Sequence, residues 1–245
     1  MRRFVIAAAC VACVALPGFG QKVKSQKEAQ AVQAMLQAQT PDDRIKAAND
    51  VITNFADTEF KPYALFIEAD AYFQKSDVDK AIVFGEQAIQ ADPKNYQAEV
   101  LVAKSYAAMT HNNDLDKADK VAKIEKNAKD ALTNLQAATK PNPNLPDDQW
   151  NQIKNDLEGQ AYYALGIAAI YGGKMDDATT DFQKVGELDQ DPTDLIRGAR
   201  AYMDAKKPEQ AMQLLDKAAA SPQANAQVKN IITSDKARAQ AMMKK

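Results

Sequence analysis

His111 is the one histidine of the chain, and it stands in "THNND" (110–114), between two stretches of helical pattern. A Ser-His-Asp relay would have to be built around it. Zinc sites take several His or Cys ligands, and both cysteines, Cys10 and Cys13, fall in the apolar start of the sequence. One histidine in a polar turn predicts a solvated side chain and no metal site. Three acidic pairs, Asp42-Asp43, Asp147-Asp148 and Asp176-Asp177, have the residue type of paired-carboxylate catalysis or calcium binding. None belongs to an Asp-x-Asp-x-Asp-Gly loop closed by Glu. Each opens a helical stretch, where carboxylates cap free amides and suit the helix dipole. Gly172-Gly173 lacks the preceding strand and the following Gly-Lys-Ser/Thr of a phosphate loop, and reads as a helix stop. No catalytic residue, cofactor or metal is assigned, and the expectation is a protein that is not an enzyme.

The elements that carry these residues are helices. Of 245 residues, 46% are hydrophobic and 26% charged, which suits a chain that buries a core. Alternating runs of Val, Ile and Thr are missing, so no strand is expected. The first twenty residues, "MRRFVIAAACVACVALPGFG", have the grammar of a secretory signal peptide: Arg2 and Arg3, an apolar stretch from Phe4 to Leu16, then Gly18-x-Gly20 before a cut at Gln21. The stretch is shorter than the ~18–20 residues that span a bilayer, so a retained anchor is the weaker reading. Lipid attachment at Cys10 or Cys13 is weaker still, since both lie inside the apolar stretch. Cleavage would remove both cysteines and leave 29 basic against 33 acidic residues. A mildly acidic chain without a basic block predicts no nucleic-acid binding and no attraction to anionic lipid. The expected location is the periplasm or outside the cell, with no stable membrane insertion after cleavage.

"KAIVFGEQAIQADPKNY" (80–96) places small residues at Ala81, Gly85 and Ala88 on one helical face and ends at Pro93. The pattern recurs at a spacing of about 34 residues. Residues 62–95 show Leu65, Ala69, Tyr72, Ala81, Ala88 and Pro93. From Gly159 come Tyr162, Leu165, Gly166, Ala178, Phe182 and Val185. From Pro192 come Leu195, Ala199, Tyr202, Ala211, Leu215, Ala218 and Pro222. The turns "KSDVDKA" (75–81), "GGKMDDA" (172–178) and "AKKPEQA" (205–211) keep the same phase.

On these residues the sequence resembles the tetratricopeptide repeat family, and most closely its exported bacterial members. The resemblance implies an all-α, right-handed superhelical solenoid of antiparallel helix pairs. Small residues of the first helices (Ala69, Ala103, Gly166, Ala199) would meet those of the second (Ala81, Ala118, Ala178, Ala211), with Tyr72, Tyr106, Phe182 and Leu215 filling the space between. The expected organisation is a signal peptide (1–20) and a solenoid (21–245). The solenoid comprises a degenerate hairpin (24–58, with Ala47 at the small position), repeats at about 62–95, 96–139, 147–192 and 192–222, and a polar closing helix (224–243). The second repeat departs from the pattern. A helix from about Asp114 to Ala138 meets "TKPNPNLPDDQW" (139–150), and the next helix starts near Asp147, which predicts an overlong hairpin over 114–158.

In this family the first helix of each pair lines the concave face. Carried over by repeat position, that face takes Tyr63, Phe66, Ile67, Asp70 and Phe73, then Val100, Leu101 and Lys104, then Tyr163, Ile167 and Ile170, and finally Ile196, Arg197 and Arg200. The Lys/Asn clamp that some members use for carboxylates is not reproduced, since Phe66 and Asp70 occupy the matching positions. The plainer reading is that many of these apolar residues pack between helices or against the N-terminal segment. The sharper one is an aromatic and aliphatic groove, with Phe66 and Phe73 as anchors and two arginines near the rim, for a peptide of acidic character. The resemblance implies a non-catalytic scaffold binding a protein or peptide in its groove. The alternative is a structural subunit of an envelope assembly that docks through the long hairpin.

Overall fold

The computed structural model describes residues 22–188 and 192–244. The expected signal peptide and its cleavage point before Gln21 lie outside the described residues. The described residues form eleven helices and no strand: α1 (Gln26–Gln37), α2 (Pro41–Asn54), α3 (Lys61–Gln74), α4 (Val78–Ala91), α5 (Tyr96–Met109), α6 (Lys117–Ala137), α7 (Asp147–Tyr171), α8 (Met175–Leu188), α9 (Pro192–Asp204), α10 (Pro208–Ala220) and α11 (Ala226–Met243).

Local chemistry sets their starts. Thr40 caps α2: its hydroxyl accepts from the Asp43 N–H at 3.1 Å and donates to the Asp43 carboxylate at 2.7 Å. Side chains of Asp77, Asn95 and Asn225 accept from the third residue beyond, at the starts of α4, α5 and α11. The three acidic pairs do not themselves cap. They occupy the first turns of α2, α7 and α8, where their charge suits the dipole.

Three of the turns are built alike. Ser76, Gly173 and Lys206 have φ of 60°, 77° and 59°. At each, this residue's N–H and the next one's fold back onto the last helical carbonyls: Ser76 to Phe73 and Asp77 to Tyr72, Gly173 to Ile170 and Lys174 to Ala169, Lys206 to Met203 and Lys207 to Tyr202. This is the helix-stop arrangement that favours glycine. Links of three residues (75–77, 172–174, 205–207) thereby turn α3 into α4, α7 into α8 and α9 into α10.

Each helix packs on its neighbour in sequence, and the odd-numbered helices α3, α5, α7, α9 and α11 also touch in succession, which stacks the pairs into a solenoid. Ala69, Ala103, Ala199, Ala81, Ala178 and Ala211 are fully buried at the crossings. Two glycines hold the Phe182 ring. A Cβ on Gly166 would lie 2.7 Å from its Cε2, and one on Gly198 would lie 2.4 Å from its Cε1.

Ala118 departs from the expected repeat: it is exposed in the first turn of α6. The reason is the link before it, residues 110–116, which is longer than the three-residue turns and shifts the phase of α6, so Ile124, Ala128, Ala131 and Leu135 are buried instead. In the first hairpin the fully buried small residue is Ala48, with Ala47 half-buried beside it. Tyr72 and Tyr106 are half-buried rather than core; the Tyr106 hydroxyl donates to Glu86 at 3.0 Å.

The long hairpin is present, in α6 and α7. It is tied to the array near the end of α6. Asn134, near the end of α6, donates through Nδ2 to both Glu99 carboxylate oxygens at 2.9 Å and to the Pro93 carbonyl at 3.2 Å, at the start of α5.

Candidate functional site

The successive contacts of α3, α5, α7 and α9 make one inner face, and this face is hollowed. The largest hollow, about 790 Å³, is floored by α7 and walled by Phe73, Lys104, Thr193, Asp194 and Arg197. A second, about 150 Å³, shares Phe73, Lys104 and Arg197 with it. A third, about 340 Å³, runs on past Tyr163 and Ile167 to Arg200 and His111. Arg197 lines all three, so they form one groove with that residue at its middle.

Its charges are organised around Asp194, in the first turn of α9 and only 4% exposed. Arg197 Nη1 donates to Asp194 Oδ1 at 2.9 Å, and Lys104 Nζ stands 3.8 Å from Oδ2. Lys104 also donates to Gln160 Oε1 at 2.9 Å and lies 6.0 Å from the centre of the Phe73 ring. Arg200 pairs with Asp235 of α11 at 2.7 Å, which closes that end of the groove. The α7 floor presents Asp148, Asn151, Gln152, Asn155, Asp156 and Gln160. Burial without a compensating cation raises the Asp156 carboxyl above its ordinary pKa.

Of the residues expected on the concave face, Phe73, Lys104, Tyr163, Ile167, Arg197 and Arg200 line this groove. The others do different work. Ile67 is buried in a cluster with Val32, Met35, Ala48 and Val51, against which Tyr63 and Phe66 also pack. The first hairpin thus covers the N-terminal end of the face, and Phe66 is no groove anchor. Asp70 pairs with Arg44 at 2.9 Å and accepts from Gln74 at 2.8 Å. Val100, Leu101, Ile170 and Ile196 are buried. The arginine expected near the rim, Arg197, is central, and both arginines are neutralised by carboxylates, so the basis for an acidic peptide is lost. The α7 floor was missed, although its polar residues recur at helical spacing within "DDQWNQIKNDLEGQ" (147–160).

His111 is exposed at the far end of the groove. The groups around it serve structure: Thr110 Oγ1 donates to the Tyr106 carbonyl at 2.7 Å, and Asp204 accepts from Tyr171 Oη at 3.1 Å and from the Asn112 N–H at 3.0 Å. Among the described residues no cluster of three or more His, Cys, Asp and Glu side chains is placed to hold a metal ion. Nor is any helix there long and apolar enough to cross a membrane.

Comparison with known proteins agrees with this geometry. Residues 62–95 match the tetratricopeptide repeat family. Among solved structures, the crystal structure of a thermophilic tetratricopeptide repeat protein from Thermus thermophilus is similar, with a TM-score of 0.54 over 86% of this chain and 97% of that one at 15% identity. No curated protein sequence matches the chain. The family match falls on one helix pair of the array, and the chain folds as a tetratricopeptide repeat solenoid.

Proposed function

We propose that this chain is an exported, non-catalytic scaffold that holds a protein or peptide segment in its concave groove. The observation that carries the reading is the groove's continuity: four helices from four successive pairs share one hollow surface centred on Arg197. Its largest hollow falls within the ~300–1,000 Å³ of specific ligand sites. The polar floor offers carboxamides that both donate and accept hydrogen bonds, as main-chain recognition requires. Export rests on the leader grammar of residues 1–20. A docking arm would need the hairpin to stand clear of the array, and the Asn134 bonds to Glu99 and Pro93 tie it down.

A photo-crosslinking residue placed in cells at Gln223, which lines the largest hollow from outside the hairpin, or at Pro143, at the hairpin tip, tests where partners dock. Specific adducts from position 223 support the groove; adducts from position 143 alone put docking at the hairpin. For export, fractionation and intact mass should find a chain that begins at Gln21 beyond the inner membrane. Retention of residues 1–20 would contradict it.

A further inference from the structure

We propose that the groove takes a basic, extended polypeptide segment, with two Lys or Arg side chains four residues apart seated on Asp148 and Asp156. This rests on the groove being a peptide site and names the chemistry of its occupant.

The cations of the groove already have partners. Arg197 and Lys104 share Asp194, Lys104 has Gln160 as well, and Arg200 has Asp235. Three carboxylates face two cations in the largest hollow, so its formal balance is negative. Asp148 and Asp156 account for the excess, because neither takes part in an ion pair among the described residues. They are eight residues apart on α7, roughly 12 Å at 1.5 Å per residue. An extended chain rises ~3.3 Å per residue and points alternate side chains the same way. Positions i and i+4 therefore span about 13 Å and face one wall. Between the two carboxylates lie Asn151, Gln152 and Asn155, exposed and able to pair with the N–H and C=O groups of a strand laid along α7.

The test uses the full chain and a phage library of random ten-residue peptides, followed by affinity measurements on the most enriched synthetic peptide. Enrichment of Lys or Arg at i and i+4 is expected. The Asp148→Asn, Asp156→Asn double variant should weaken that peptide roughly tenfold, since both pairs are exposed. Charge reversal at both positions (Asp→Lys) should turn the selection towards acidic residues, with thermal melting confirming that each variant is folded. Moving the two basic residues next to each other should cost at least about threefold. Equal binding would mean diffuse attraction to an acidic chain and would overturn the proposal. Neutral or acidic peptides whose binding is lost on Arg197→Ala would also overturn it, yet leave the groove as a peptide site. No enrichment above an unrelated control protein would remove both readings.

Discussion

Arg197 and Asp194 are joined one helical turn apart on α9, Nη1 to Oδ1 at 2.9 Å, with the carboxylate buried and the guanidinium half in the groove. Asp194 also faces Lys104 from the neighbouring α5, so one buried acid holds two helices and two cations. Asp194→Asn should therefore lower stability by about 1.5–3 kcal/mol, the usual size of a hydrogen bond to a charged group. Urea unfolding measures it, and an unchanged midpoint would show the cluster to be as weak as an open surface pair. The same substitution leaves Lys104 and Arg197 without their acid, and binding of basic peptides should fall with it.

Ser76 and Lys206 hold a left-handed backbone where the equivalent turn has Gly173. Side chains strain that conformation by ~1 kcal/mol. We expect Ser76→Gly and Lys206→Gly each to stabilise the protein by roughly 0.5–1 kcal/mol, and Gly173→Ala to destabilise it by a similar amount. Melting temperatures for the three variants decide the matter; a loss of stability in both glycine variants would contradict the strain argument.

Glu68 is 4% exposed, its Oε2 lacks a hydrogen-bond partner, and burial raises its pKa to about 7. The native state then holds a proton that the unfolded chain releases near pH 4.5. Between these values the folded form binds more protons, so stability falls as pH rises from about 4.5 to about 7. Glu68→Gln should abolish this slope and gain on the order of 1–3 kcal/mol at pH 8. Denaturant unfolding at pH 5 and pH 8 provides the comparison, and an equal gain at both would exclude a titration at Glu68.

Asn134 supplies two hydrogen bonds to Glu99, a carboxylate 3% exposed whose pKa is raised chiefly by burial. Asn134→Ala should cost about 1.5–3 kcal/mol, as expected when a buried charged acceptor loses its donor. Removal of residues 141–144, which lie at the tip and are largely exposed, should stay within ~0.5 kcal/mol. If the tip deletion costs more than Asn134→Ala, the hairpin is anchored by its loop instead.

Much of the architecture was legible. Ala81, Gly85 and Ala88 before Pro93 marked a helix with one close-packed face, and the recurrence of the pattern at 159 and 192 marked an array. Residues 62–95, one of the repeats read from this spacing, coincide with the family match. Ala118 was misplaced because the length of the preceding turn is not written in helical periodicity. Ser76 and Lys206 gave no sign of positive φ, since neither is the glycine that usually announces it.

The sequence by itself determined that helices pair, where three of the turns fall and most of the alanines that meet, because periodicity and small-residue spacing are local properties of a helix. Only the tertiary structure decided which polar stripe faces inward. Phe66 was drawn under the first hairpin, Arg197 moved to the centre with its charge already matched, and the polar side of the long α7 was turned inward so that Asp148 and Asp156 floor the groove. An apolar face identifies what a helix must bury. The inward polar face depends on the angle at which neighbouring helices cross, and that angle is set by contacts between residues far apart in the chain.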